Sequence, residues 1–161
     1  MPLPRRLAAS AAVASALGLA LVGCSTTVHL EPAEDANDPI CAEVSVLLPE
    51  NVAGFDRVWT DAQATGAWGD PTIVLRCGVE PPAPSDLVCT TIGNVDWLVL
   101  DQEEERQRLV TYGREPALEV IIRREAEVDF RTVVEKLSAS VQPGLAPATA
   151  QCTERVDFPQ S

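Results

Sequence analysis

Histidine, lysine and aromatic side chains are scarce in this chain. One histidine, one lysine and seven aromatics (three Trp, three Phe, one Tyr) serve 161 residues. The single histidine, His29, lies in a polar N-terminal stretch, so no Ser-His or Cys-His pair is expected in the folded region. Zinc chemistry is excluded on the same ground, since no Cys-x-x-Cys spacing accompanies it. Gly-x-Ser-x-Gly and Ser-x-x-Lys are also missing, which removes two common nucleophile contexts. Basic charge is short as well. Residues 1–23 carry Arg5 and Arg6 and no acid, so the remaining 138 residues hold 10 basic and 24 acidic side chains, a net of −14. A surface of that sign repels phosphate backbones, and no nucleic-acid partner is expected. No cofactor is implied.

The one long uncharged apolar stretch runs from Leu7 to Val22. It is marginal against the ~20 residues of a membrane-spanning helix. It follows Arg5-Arg6 and ends in Leu21-Val22-Gly23-Cys24, the order of a lipoprotein signal. The reading is cleavage after Gly23, with diacylglycerol on the Cys24 thiol. The expected layout is a signal peptide over residues 1–23, a flexible acidic tether over 24–38, and one globular domain over 39–161 with a Pro/Ala-rich tail. The location that follows is the outer face of the cytoplasmic membrane.

Four cysteines remain beyond Cys24, namely Cys41, Cys77, Cys89 and Cys152. An even number in an exported chain reads as two disulfides. The preferred pairing joins Cys77 to Cys89 across the Pro-rich turn and Cys41 to Cys152. The rival, Cys41 with Cys77 and Cys89 with Cys152, ties helix to sheet and stays open.

Asp38-Pro39 starts a helix whose apolar residues Ile40, Val44, Leu47 and Leu48 share a face, and Pro49 ends it. Strands are expected at Phe55–Thr60, Thr72–Val79, Val95–Leu100, Leu109–Tyr112 and Ala117–Arg123. The acids Glu103-Glu104-Glu105 form a solvated hairpin tip rather than a metal loop. Asp129 caps a second helix carrying Phe130, Val133, Val134, Leu137 and Val141, which Pro143-Gly144 stops. The expected fold is α+β, an antiparallel sheet of about five strands with two helices packed on one face.

Several segments together resemble a known family. They are Val28-His29-Leu30-Glu31-Pro32, Asp38-Pro39-Ile40-Cys41, Asp61 to Pro71 with its Trp68-Gly69-Asp70-Pro71, Arg76-Cys77-Gly78-Val79, Val95-Asp96-Trp97-Leu98 and Thr111-Tyr112-Gly113-Arg114. They are similar to the actinobacterial lipoprotein family catalogued as domain of unknown function 3515, over roughly residues 28–122. The resemblance implies an exported, lipid-anchored protein and implies no activity. Arginine outnumbering lysine eleven to one fits such a high-GC host.

Two side-chain groups stand out as candidates. Gly66, Trp68, Gly69 and Asp70 are read as a partner-binding loop, with Trp68 as an exposed anchor; the simpler alternative is that Trp68 plugs the core. Arg76, inside an apolar run, needs a carboxylate, and Glu119 or Asp96 on a neighbouring strand can supply it. The functional expectation is a non-catalytic interaction module contacting another envelope protein, with the membrane engaged through Cys24. The alternative is a carrier or sensor of a small hydrophobic or cationic ligand, and a hydrolase built on paired carboxylates is the weaker third reading.

Overall fold

The structure is a computed structural model, and it describes residues 27–83, 87–102, 105–124 and 127–153. Cys24 and the expected signal peptide over residues 1–23 lie outside the described residues.

The described residues form nine strands and two short α-helices. In order they are β1 (Thr27–Val28), α1 (Pro39–Leu47), β2 (Asn51–Val52), β3 (Phe55–Thr60), β4 (Thr65–Trp68), β5 (Ile73–Val79), β6 (Cys89–Ile92), β7 (Val95–Gln102), β8 (Arg106–Thr111), β9 (Ala117–Arg123) and α2 (Phe130–Val141). The strand order is β1-β3-β4-β5-β9-β8-β7-β6, with β2 beside β3. β1 joins β3 in parallel and the other pairs are antiparallel, so the sheet is mixed. The five-strand α+β expectation is therefore corrected to a mostly β fold. The missing strands, β1, β2, β4 and β6, are short ones, and two of them, β2 and β6, run into tight turns. Ala53-Gly54 and Gly93-Asn94 all have positive φ, the backbone that a two-residue hairpin connection requires.

Both helices form where the sequence places them. Asp38 Oδ1 accepts the Ile40 N–H at 2.8 Å, and Asp129 accepts those of Arg131 and Thr132, so each helix opens on a carboxylate cap. Their apolar faces enter one core with the sheet. Cys41 and Val44 of α1 and Val133, Val134, Leu137 and Val141 of α2 join Trp68, Leu75, Trp97, Leu109, Leu118 and Val120. Trp97 donates to the Ser138 hydroxyl at 3.0 Å, which lets a buried indole sit beneath α2 with its N–H satisfied.

Both ends of the described chain are fastened down. The segment expected as a flexible tether is docked from Thr27 onward: Asp61 N–H donates to Val28, and Asp35 N–H donates to Gly78 at 3.0 Å. Gly78 has φ +97, and the Asp35 backbone lies where a Cβ would stand, so this approach needs glycine. At the other end Thr149 N–H donates to Gly113 at 2.8 Å, and Cys152 N–H donates to Asp96 Oδ2 at 3.1 Å.

The disulfides are Cys41–Cys77 and Cys89–Cys152, with Cα separations of 5.5 and 5.6 Å. The preferred pairing of Cys77 with Cys89 and Cys41 with Cys152 is thus wrong. β5 and β6 are not neighbours; three strands stand between them. At about 4.8 Å per strand spacing they lie roughly 19 Å apart, far beyond disulfide reach.

Candidate functional site: an arginine-lined cleft

Strand alternation selects the residues of this site. In the register of the sheet Arg76 faces Glu119, Val74 faces Ile121, Ile121 faces Arg108, and Arg106 faces Arg123. Cross-strand partners share a face, so these residues from β5, β9 and β8 stand together. Their face is the opposite one from that of Leu75, Leu109 and Val120, which belong to the core beneath the helices. A cleft of about 460 Å³ opens there. Val74 and Ile121 give it an apolar floor, the four arginines line it, and His29, Leu30, Glu31 and Pro71 complete its wall.

Glu119 organises the cationic part. It is 1% exposed, and each of its carboxylate oxygens is held by one guanidinium. Arg76 places Nε at 2.8 Å and one terminal nitrogen at 2.5 Å from Oε2, while Arg108 places Nε at 2.9 Å from Oε1 and adds a terminal nitrogen. A carboxylate so enclosed fixes both guanidinium planes. One negative charge against two positive ones leaves the triad cationic.

Arg106 and Arg123 extend that charge to the exposed end of the cleft. They lie directly opposite each other on β8 and β9, and both are exposed. Like charges facing across a strand pair cost stability. Four of the ten basic residues beyond position 23 thus gather in one place on a chain of strongly acidic balance. The acidic member of the wall is Glu31.

His29 Nδ1 lies 2.6 Å from Asp61 Oδ2, and Asp61 Oδ1 accepts the Leu30 N–H at 3.0 Å. The Leu30 amide first, and the His29 ring second, hold the Asp61 carboxyl below its usual range. This pairing keeps residues 29 and 30 against the β3–β4 connection and so shapes the wall of the cleft.

The chain matches a family model described as Protein of unknown function (DUF3515) over residues 7–149. It belongs to the DUF3515 family. Neither a curated protein nor a solved structure matches this DUF3515 chain.

The loop expected to bind a partner does not present its tryptophan. Thr65–Trp68 is β4, an interior strand, and Trp68 is 0% exposed, donating its indole N–H to the Pro49 carbonyl at 2.9 Å. Gly66 is buried, and a Cβ there would stand 2.8 Å from Leu48 and from the Trp68 ring, so this glycine makes room for the indole. Gly69 is half-buried at the turn and Asp70 is exposed. The expectation that Trp68 is an exposed anchor of a Gly66, Trp68, Gly69 and Asp70 loop is replaced by core packing of Trp68 against Gly66. Of the two expected partners for Arg76, Glu119 is the one found. Arg106, Arg108 and Arg123 were not singled out in the DUF3515 sequence, although the i, i+2 spacing of Arg106 and Arg108 puts both on one strand face. Among the described residues no group of three or more His, Cys, Asp or Glu side chains is gathered for a metal.

Proposed function

We propose that the chain is a non-catalytic, lipid-anchored module on the outer face of the cytoplasmic membrane, and that it binds an anionic group of an envelope protein in the arginine cleft. The observation that carries this reading is the opposed Arg106–Arg123 pair beside the Arg76–Glu119–Arg108 triad. A fold gains nothing from facing two exposed guanidiniums across adjacent strands; an incoming carboxylate or phosphate turns that repulsion into a fork of donors. The leader ending in Gly23-Cys24 supports the anchored location.

A second reading takes the cleft as a carrier or sensor site for a small ligand. Its volume lies within the ~300–1,000 Å³ of small-molecule pockets. The Val74–Ile121 floor favours an apolar body and the arginines an acidic head, so a cationic ligand is disfavoured.

The test is crosslinked capture from membranes, comparing the natural chain with the Arg106→Ser/Arg123→Ser double variant. The expected result is an envelope-protein adduct with the natural chain that the variant loses while melting at the same temperature or slightly higher. Identical adducts from both overturn the cleft reading. A small acid retained in native mass spectra of the natural chain, and lost in the variant, selects the second reading.

A further inference from the structure

Trp59 is the largest apolar side chain left in the open. It is 75% exposed, whereas Trp68 and Trp97 are both fully buried. It sits on β3 with Thr27 of β1 as its register partner at the sheet edge. Only Ser25 and Thr26 separate Thr27 from Cys24. Chain geometry allows at most ~3.6 Å per residue, so three steps place the Cys24 backbone within ~11 Å of Thr27. Trp59 is one strand spacing further, about 4.8 Å.

A tryptophan tethered this closely to a diacylglyceryl thioether is held at the depth of the lipid headgroups. Indole favours that zone, because its ring is apolar and its N–H remains free to meet interfacial water and carbonyls. We infer that Trp59 inserts into the membrane interface and is a second contact, after the lipid on Cys24, that sets how the domain stands on the bilayer. The inference rests on the anchored reading above. The surroundings set its character. The shallow cavity beside the indole, about 300 Å³, is bordered by Glu50 and Arg57, one charge of each sign, together with Val58 and Thr60. Nothing in that balance selects anionic lipid, and the strongly acidic domain is repelled by it. Insertion is therefore driven by the ring, and zwitterionic bilayers suffice.

The experiment uses the full lipidated chain and its Trp59→Phe variant, each reconstituted into phosphatidylcholine vesicles with or without brominated acyl chains. The difference in emission between the two proteins isolates Trp59 from the two buried tryptophans. Brominated lipid is expected to remove roughly half of that difference signal, and acrylamide is expected to quench it less than in detergent-free solution after proteolytic release. A difference signal untouched by brominated lipid, or fully open to acrylamide on vesicles, overturns the inference. Shielding from acrylamide in native membranes without quenching in brominated vesicles overturns it too, assigning Trp59 to a protein partner. Intact mass of the membrane-extracted chain separates the two readings. Without the diacylglyceryl adduct the anchor itself fails; with the adduct and an unquenched Trp59, the docking alone fails.

Discussion

Arg76 on β5 and Glu119 on β9 stand directly opposite each other, and the guanidinium holds a single oxygen of the buried carboxylate through two nitrogens. The other oxygen belongs to Arg108, so the charge of Glu119 is shared between strands on either side of β9. Glu119→Gln keeps the shape and removes the charge. Breaking a buried pair costs about 3–5 kcal/mol. The partial exposure of Arg76 and Arg108, 26% and 36%, places the expected loss near the low end. Urea unfolding of the variant measures it. A loss below about 1 kcal/mol, the scale of a surface ion pair, contradicts an organising role for Glu119.

Trp68→Ala should destabilise the fold by about 3–5 kcal/mol, the usual cost of a large aromatic-to-alanine change in a core. Trp68→Phe keeps most of the ring and forfeits the bond to Pro49, about 1 kcal/mol by the usual worth of a hydrogen bond. Thermal melts of the two variants should rank in that order, and neither should alter capture by the cleft beyond the effect of unfolding.

Removing either disulfide by paired Cys→Ser changes should lower stability in proportion to the loop released. The sequence separations are 36 for Cys41–Cys77 and 63 for Cys89–Cys152. The chain-entropy relation gives about 3.8 and about 4.3 kcal/mol. Non-reducing peptide mapping should recover Cys41 with Cys77, and reduction of Cys89–Cys152 should free the segment that reaches Asp96.

Acid should loosen the wall of the cleft before it unfolds the core. The Asp61 carboxyl is held below its ordinary value of 3.8 by the Leu30 N–H and then by His29. A depressed carboxylate stabilises fully above its unfolded value and loses that contribution as pH falls through the lower folded one. The protection of the Leu30 amide, relative to its intrinsic exchange rate, should therefore fall below about pH 3.8, the ordinary Asp range, while Val120 in the sheet core stays protected. In Asp61→Asn the acid step should disappear.

How much of this was legible in the sequence depended on the range of the contact. The α1 and α2 boundaries were written locally, in Asp38-Pro39, Pro49 and Asp129, and they were found there. β5 was evident from its β-branched run, and β3, β7, β8 and β9 from strand-like segments set off by turn residues or charged stretches; the need of Arg76 for a carboxylate followed from its apolar neighbours. β4 was missed because Gly66 and Gly69 read as turn formers, when Gly66 is small to admit the Trp68 ring. β6 was missed for its brevity, although Gly93-Asn94 is a hairpin signal. The disulfide pairing is not legible locally, because Cys77 and Cys89 are close in sequence while their strands are far apart in the sheet. Strand order is a long-range property, and β9 entering between β5 and β8 is written in no single segment. The cleft shares that origin, since its arginines come from three strands whose adjacency only the topology supplies.

The parallel pairing of β1 with β3 has a mechanical consequence. Force applied to the chain from its N-terminal side runs along β1, so the β1–β3 bonds are loaded in shear and fail together rather than one by one. Once they yield, the Leu30–Asp61 and Asp35–Gly78 contacts are the next to part. Extension then halts at Cys41, whose bond to Cys77 transfers the load covalently to β5 in the middle of the sheet. A tug at this end can peel away one wall of the cleft and expose its arginines further, while the domain behind it stays folded.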